Sequence, residues 1–384
     1  MSAQRSAEAA SAAVRGPLDT QAEDRRFMTL ALTLGRRGLG RTWPNPAVGA
    51  VLTKNGIIVG RGWTQPGGRP HAEIEAIGRA GHAARGATLY VTLEPCSHHG
   101  KSPPCADAVV AAGVSRVVSA LEDPNPEVAG AGHARLRATG IEVDIGVGAE
   151  EARRDHAGHI RRMREGRPQV MLKLAISADG KAGASGRQPV AITGEAVRER
   201  VHLLRAQSDA IMVGIGTALA DDPMLTCRLP GMAGYSPVRI VLDSALRLPL
   251  ASRLVRSARE TPLWVVAGAA AVPRAGEALQ AQGVEIFRAE GSEGHLDLAD
   301  VLKSIAARGI TRLMVEGGPT LAAAFVTADL VDAATLFHSS KPVGPGGIDA
   351  LEGLPLTTLT QSPWLRRITS EPVGADTLTV LERR

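Results

Sequence analysis

At 384 residues the chain is too long for one ordinary core and long enough for two domains. With 44% hydrophobic and 22% charged residues it reads as globular, and no apolar run reaches the ~20 residues of a membrane span. The net charge of +5 is spread along the chain and aromatics are only 3%, poor material for stacking bases, so nucleic-acid binding is not required. Three cysteines exclude a disulfide scaffold and suit a reducing, cytoplasmic setting.

Residues 1–20 are Ala/Ser-rich, lack the apolar core of a secretory signal and read as a mobile tail. The first helix is predicted from Thr20, where Glu23 completes a capping-box pattern and Phe27, Leu30, Ala31 and Leu34 follow at helical spacing. Ala47–Thr53 and Ile57–Trp63 are β-prone and are joined through Asn55-Gly56, the signature of a two-residue hairpin turn. Helices over 71–80, 104–112 and 133–139 then alternate with strands over 87–93, 115–121 and 141–147. That order predicts a mostly parallel sheet with helices on its faces.

The polar, basic segment closing at Gly166-Arg167-Pro168 is the predicted boundary, giving one domain over 21–166 and another over 167–384. Its densest stretch, Arg153 to Arg167, reads as a solvated helix face. Beyond it, strands are predicted over 169–176, 209–214, 238–243, 263–267 and 312–316, with helices over 195–206 and 298–307. This is a second α/β unit.

The strongest chemical pattern is His71-Ala72-Glu73, then Pro95-Cys96 and, nine residues on, Pro104-Cys105. One imidazole and two thiolates make a three-ligand zinc set with a fourth position open, the arrangement of a catalytic site; thiolates favour zinc over magnesium or manganese. Glu73 is the candidate to move protons between water and a leaving nitrogen. Residues two apart point some 200° from each other on a regular helix, so His71 and Glu73 converge only at an irregular first turn. His98 and His99 lie between the cysteines and read as solvated loop, substrate contacts or rival ligands. Cys227 stands apart as a buried or merely tolerated thiol. His-x-Glu with a later Pro-Cys is the signature of zinc nucleobase deaminases, although eight residues rather than two separate these cysteines.

The stretches PNPAVGAVL, HAE, TLEPCSHHGKSPPC and DPNP, followed by KLAISADGKA, LLRAQSDAIMVG, GTALADDPMLT, RIVLDS and VEGGPTLA, resemble the bifunctional riboflavin-biosynthesis deaminase–reductases from about Glu23 onward. The resemblance implies a cytidine-deaminase-like three-layer domain followed by a dihydrofolate-reductase-like domain. It implies zinc-dependent deamination of a diaminopyrimidinone carrying phosphoribosylamine, then NADPH-dependent reduction of the ribosyl to a ribityl chain. Carried over residue by residue, His71, Cys96 and Cys105 are the metal ligands, Glu73 the proton carrier and Asn45 a pyrimidine contact, although a turn asparagine between prolines needs no such role.

In the second domain, Glu316-Gly317-Gly318-Pro319-Thr320 combines glycines for close approach with a proline suited to a first helical turn. It reads as a phosphate cradle or as a bare strand-to-helix turn. The resemblance makes Ala175, Ala191, Thr217, Ser244 and Gly318, Pro319, Thr320, Leu321, Ala322, Ala323 and Ala324 the cofactor contacts. Pro189, Arg205, Asp221, Leu225, Arg228 and Glu316 become substrate contacts, with the arginines suited to phosphate. Lys173, Asp221 and Glu316 are the candidates for proton delivery. One departure concerns the loop over 187–193, where Pro189 and Ala191 stand in place of a serine and a tryptophan carried by several family members. The expected partner is the phosphorylated pyrimidine, with neither nucleic acid nor membrane, and a homo-oligomer is expected. The alternatives are a deaminase with a silent reductase-like domain, and a nucleic-acid binder with a structural zinc.

Overall fold

The structure, a computed structural model, describes residues 17–384 apart from 99–102, 127, 189 and 293. Of the expected tail, residues 1–16 lie outside the described residues. Two compact units form. The first takes in the described residues up to Gly38, Ala47–Gln65 and Arg69–Asp155; the second takes in Leu39–Pro46, Pro66–Gly68 and His156–Arg384.

In the first unit, α1 (Pro17–Arg36) begins ahead of Thr20, with proline as its first helical residue. β1 (Gly49–Lys54) and β2 (Ile57–Trp63) form the predicted hairpin, with Asn55 and Gly56 both at positive φ. Next come α2 (Ala72–Ala80), β3 (Thr88–Val91), α3 (Cys105–Ala111), β4 (Arg116–Ser119), α4 (Ala131–Ala138), β5 (Glu142–Ile145) and α5 (Ala149–Asp155). The strand order is β2-β1-β3-β4-β5; β1 is antiparallel to both neighbours, and β3, β4 and β5 run parallel. Phe27, Met28, Ala31 and Leu34 bury one stripe of α1. Asp24 on that helix accepts from the Tyr90 hydroxyl at 2.8 Å and from Arg116 at 2.8 and 2.9 Å, which fixes α1 against β3 and β4.

The placement of α2 matters most for chemistry. A Cβ at Gly60 would fall 2.2 Å from the Ala76 carbonyl, and one at Gly62 would fall 2.4 Å from the Ala72 carbonyl. Bare backbone on β2 therefore lets α2 lie directly on the hairpin. Its N-terminus then faces the end of β3.

The second unit opens with α6 (Ala157–Glu165), β6 (Gln169–Ile176), β7 (Lys181–Gly183), α7 (Glu195–Ala206), β8 (Ala210–Gly214), α8 (Ile215–Asp221) and β9 (Val238–Leu242). It continues with α9 (Arg253–Arg256), β10 (Leu263–Gly268), α10 (Pro273–Ala281), β11 (Glu285–Ala289), the ribbon β12 (Gly291–Ser292) and β13 (His295–Leu296), and α11 (Leu298–Ala307). It closes with β14 (Arg312–Val315), α12 (Pro319–Thr327), β15 (Ala333–His338), β16 (Ile348–Asp349), α13 (Thr357–Thr360), β17 (Leu365–Val373) and β18 (Asp376–Arg383).

Nine strands form one sheet in the order β11-β10-β9-β8-β14-β6-β15-β18-β17. They are parallel from β11 to β15 and antiparallel at β18 and β17. Alternation along the central strands feeds two cores. Met212, Ile240 and Val266 join one, and Ile211, Val213, Val241 and Val265 join the other. Both faces of the sheet are covered. The carboxyl ends of β6, β8 and β14, adjacent in the sheet, therefore share one edge of the unit, the usual position for a ligand crevice in an open α/β sheet.

Candidate active sites

His71 is the extended N-cap of α2, at φ −71° and ψ 161°, and Glu73 sits in the first turn. This is the irregular start that an His-x-Glu pair needs in order to converge. Cys105 is the first residue of α3, and Cys96 lies in the loop that follows β3. The His71 Nδ1 atom is 3.3 Å from the Cys105 sulfur and 3.8 Å from the Cys96 sulfur; the backbone N–H of Cys105 donates to Cys96 Sγ at 3.2 Å. Nitrogen and sulfur bound to one tetrahedral zinc, at the usual bond lengths, lie about 3.6 Å apart. The two observed separations bracket that value, and all three ligand atoms lie within 4.8 Å of one another. The donor set fits zinc.

Electrostatics agree with the geometry. Hydrogen bonds from the Cys105 thiol and from His71 hold Cys96 at about 4 despite its burial, well below the ordinary thiol value. The hydrogen bond to Cys96, with burial, raises Cys105, and the contact with Cys96 raises His71. Burial pushes the Glu73 carboxyl up to about 7, moderated by the charge of His71. At that value Glu73 can both accept and release a proton near neutral pH. His98 is exposed and outside this ligand set, and His99 lies outside the described residues. Asn45 belongs to the second unit, where its side-chain Nδ2 donates to the Gly68 carbonyl at 2.8 Å.

In the second unit a cavity of about 400 Å³ opens at the carboxyl ends of β6, β8 and β14. Lys173 and Ala175 reach it from β6, Ala191 and Thr193 from the loop after β7, and Thr217 and Asp221 from α8; Glu316 and Gly317 to Leu321 line it from the start of α12. Gly318 is the N-cap of α12 and donates its N–H to Thr217 Oγ1 at 2.8 Å, joining the two helix starts across the cavity. Thr320 and Arg187 both bond the carboxylate of Glu352. Bare glycine backbone and a nine-residue helix N-terminus match what a phosphate needs, and the volume suits a nucleotide cofactor.

Glu316 is fully engaged. Arg205 meets it with two parallel bonds, Nε to Oε2 at 2.9 Å and Nη2 to Oε1 at 2.8 Å, while Lys173 Nζ lies 3.5 Å from Oε1. Burial alone would raise this carboxyl, but Arg205 and Lys173 outweigh it and hold the pKa below the usual carboxylate value. Arg205 also gives Nη1 to the Thr226 carbonyl, so three of its five N–H bonds are spent inside the protein. It acts at the cavity through Glu316, because a buried carboxylate needs a counter-charge more than a solvated phosphate does.

Four further expectations look different in three dimensions. Ala322 and Ala323 are packed in the sheet core, and Ala324 is on the exposed side of α12, so the cavity lining contributed by α12 ends at Leu321. The Leu225 side chain is buried with Ile211 and Val213, leaving only its backbone, at φ +55°, to meet a ligand. Arg228 is exposed, and Ser244 follows β9 with its carbonyl accepting from Gly268 N–H; neither lines the cavity. Pro189 lies outside the described residues. Cys227 is a buried free thiol away from the ligand set.

A metal-ready deaminase centre in one unit and a nucleotide-sized crevice over a buried ion pair in the other define a zinc deaminase of cytidine-deaminase-like fold joined to a dihydrofolate-reductase-like, NADPH-dependent reductase. The family profile of the cytidine and deoxycytidylate deaminase zinc-binding region matches residues 21–121, and that of the RibD C-terminal domain matches residues 168–379. The chain belongs to the RibD family, the bifunctional deaminase–reductases of riboflavin biosynthesis.

Riboflavin biosynthesis protein RibD of Escherichia coli K12 is 41% identical over 367 residues, covering 92% of this chain and 98% of that one. The Aquifex aeolicus RibD is 38% identical, covering 94% and 98%. Among solved structures, Acinetobacter baumannii RibD superposes with a TM-score of 0.84 at 33% identity, covering 95% of this chain and 99% of that one. A Thermotoga maritima diaminohydroxyphosphoribosylaminopyrimidine deaminase/5-amino-6-(5-phosphoribosylamino)uracil reductase superposes with a TM-score of 0.82 at 34% identity, covering 95% and 100%. No helix among the described residues is long and apolar enough to cross a membrane.

Proposed function

We propose that the first unit hydrolyses the amino group of 2,5-diamino-6-(5-phosphoribosylamino)pyrimidin-4-one. The second unit then reduces the ribosyl chain of the product to ribityl with NADPH. The observation that carries the reading is the convergence of His71, Cys96 and Cys105, with Glu73 buried in the first turn of the helix that His71 caps.

His71 Nδ1 and the two sulfurs would hold zinc, which when bound would supply the Lewis acidity that makes water nucleophilic near neutral pH. Glu73 takes the proton released as the new C–O bond forms and delivers it to the amino nitrogen. The C–N bond then breaks and ammonia leaves.

Ala175, Ala191, Thr217 and Gly318 to Leu321, which line the cavity, would hold NADPH, and the bound cofactor would supply the hydride for the sugar carbon. Glu316, held ionised, orients Lys173, and the Lys173 ammonium protonates the sugar oxygen. Asp221 and the exposed Arg228 contact the substrate, the arginine at its phosphate. The enzyme works in the cytoplasm, a placement supported by three free thiols, two of which the metal site needs. A homo-oligomer belongs to the same reading, supported by the outer edge of β17, the last strand of the nine-stranded sheet.

Purified protein is supplied with the diaminopyrimidinone, with and without a chelator and with and without NADPH. Ammonia release that the chelator abolishes, and NADPH oxidation that requires the deaminated product, are expected. Ammonia release indifferent to chelation would end the zinc reading, and absent NADPH oxidation would end the second half.

A further inference from the structure

We propose that Glu94 is a positioning residue of the deaminase, setting the loop that begins at Asp123 against the zinc-ligand step Pro95-Cys96. The proposal rests on the zinc-deaminase reading. Glu94 is buried, two residues before Cys96, and its backbone N–H donates to the Leu121 carbonyl at 2.9 Å. Its carboxylate collects four backbone N–H groups from one later stretch of chain. Oε2 accepts from Asp123 at 2.9 Å and Gly130 at 3.0 Å; Oε1 accepts from Gly132 at 2.7 Å and His133 at 3.2 Å.

Three of those donors belong to the start of α4, whose own N-cap is glycine and gives no side-chain cap. Glu94 therefore caps α4 from a distant segment, placing a carboxylate where orphan amides and the helix dipole favour it. The fourth donor opens the Asp123-Pro124-Asn125-Pro126 turn, in which Asn125 N–H donates to the Asp123 carboxylate at 2.8 Å. Gly132 packs so closely that a Cβ there would fall 2.1 Å from the Pro95 carbonyl. The Asp123 N–H on the Glu94 carboxylate, 2.9 Å away, holds that turn beside the segment that leads into Pro95-Cys96.

Glu94, Glu122 and His133 also look like a metal-ligand triad, with their ligand atoms within 4.8 Å. The N–H bonds exclude that use: a carboxylate offers about four lone-pair sites, and the four amides fill them. Glu94 is a clamp on backbone. It touches neither the reacting atoms nor the metal, and acts through the loop it holds.

The test is Glu94→Gln in the full-length, zinc-loaded chain. The side-chain oxygen can keep two N–H bonds, but the new NH2 faces two other donors, so one end of the loop is released. KM for the diaminopyrimidinone is expected to rise about tenfold or more while kcat changes by less than about threefold. Zinc should stay at its wild-type stoichiometry, and NADPH oxidation on the deaminated product should match wild type. Hydrogen exchange should quicken at the amides of Asp123, Gly130, Gly132 and His133 and stay slow in β3 and β4.

An unchanged KM overturns the proposal, as does a parallel fall of kcat and zinc content at constant KM, the mark of a merely structural contact. Glu94→Asp, which keeps the charge but draws it back, should show the same KM-directed change in smaller degree. Failure of both variants to give folded, zinc-loaded protein also overturns it, because the contact would then serve the fold alone. A zinc-loaded wild-type chain that releases no ammonia would overturn the underlying deaminase reading instead, while the exchange pattern would still read the clamp.

Discussion

Replacing Arg205 by alanine strips Glu316 of two charge-assisted bonds, at 2.8 and 2.9 Å, and leaves Lys173 Nζ at 3.5 Å as its remaining counter-charge. The two side chains of the pair are only 11% and 12% exposed, so solvent cannot take over the work of the arginine. Removing one member of a buried pair typically destabilises by about 3–5 kcal/mol, and Lys173 keeps this case near the lower end, about 3 kcal/mol at pH 8.

The pH dependence carries a definite sign. In the wild type the folded Glu316 pKa is depressed, so its contribution is present above the unfolded value of about 4.3 and is lost as pH falls through the folded value. In the variant burial prevails and the folded pKa is raised. The carboxyl takes up a proton on acidification, and the deficit relative to wild type shrinks toward about 1 kcal/mol by pH 5. Urea unfolding followed by tryptophan emission reads this, because Trp43, Trp264 and Trp364 all belong to the second unit. The midpoint should fall by about 1 M at pH 8 and by much less at pH 5. A deficit below about 1 kcal/mol at pH 8, or one indifferent to pH, would refute the buried-pair reasoning.

Other outcomes follow from the two sites. Glu73→Gln preserves shape but carries no titrating proton, so deamination should fall by about 10²–10⁴ while zinc content and NADPH oxidation hold, as a metal assay and the two activities will show. In chelated protein the Glu73 pKa, raised to about 7, makes its contribution complete below about pH 4.3 and lost as pH climbs through 7. Thermal melts of metal-free wild type should therefore drop between pH 5 and 7.5 more than those of metal-free Glu73→Gln, where the pH values span the two pKa values. Gly318→Ala would place a Cβ 2.9 Å from Thr217 Oγ1 and push the two helix starts apart. KM for NADPH should rise about tenfold with deamination untouched; an unchanged value would remove those glycines from the cofactor wall.

Much of this was legible in the sequence because it depends on local chemistry. Asn55-Gly56 encodes a turn with two positive φ values, and both appear. The apolar run along Gln169–Ile176 encodes a strand of a sheet covered on both faces, and β6 has those bounds. The cluster of His71, Cys96 and Cys105 was legible because thiols are scarce in this chain and imidazole with two sulfurs is a zinc-type donor set.

What escaped depends on partners far away along the chain. Arg205 and Glu316 are 111 residues apart, so neither spacing nor the resemblance, which suits the arginine to a phosphate, points to the buried carboxylate that it bonds. Glu94 escaped for another reason: its partners are backbone amides, which carry no residue-type signature. Ala322 and Ala323 come one helical turn after the glycines, and helical rotation carries them into the core. The antiparallel pair β17 and β18 is mostly polar and half-exposed, so neither hydrophobic period marks it strongly.

The bare stretch of β2 under α2 has an outcome that a map of chemical groups would miss. A genetic survey scored by growth without added vitamin would return Gly60 and Gly62 beside His71 and Glu73, although neither glycine owns an atom that could meet the pyrimidine. Selection there acts on empty space, and the enzyme's first reaction is as sensitive to a methyl group gained under its helix as to a carboxylate lost above it.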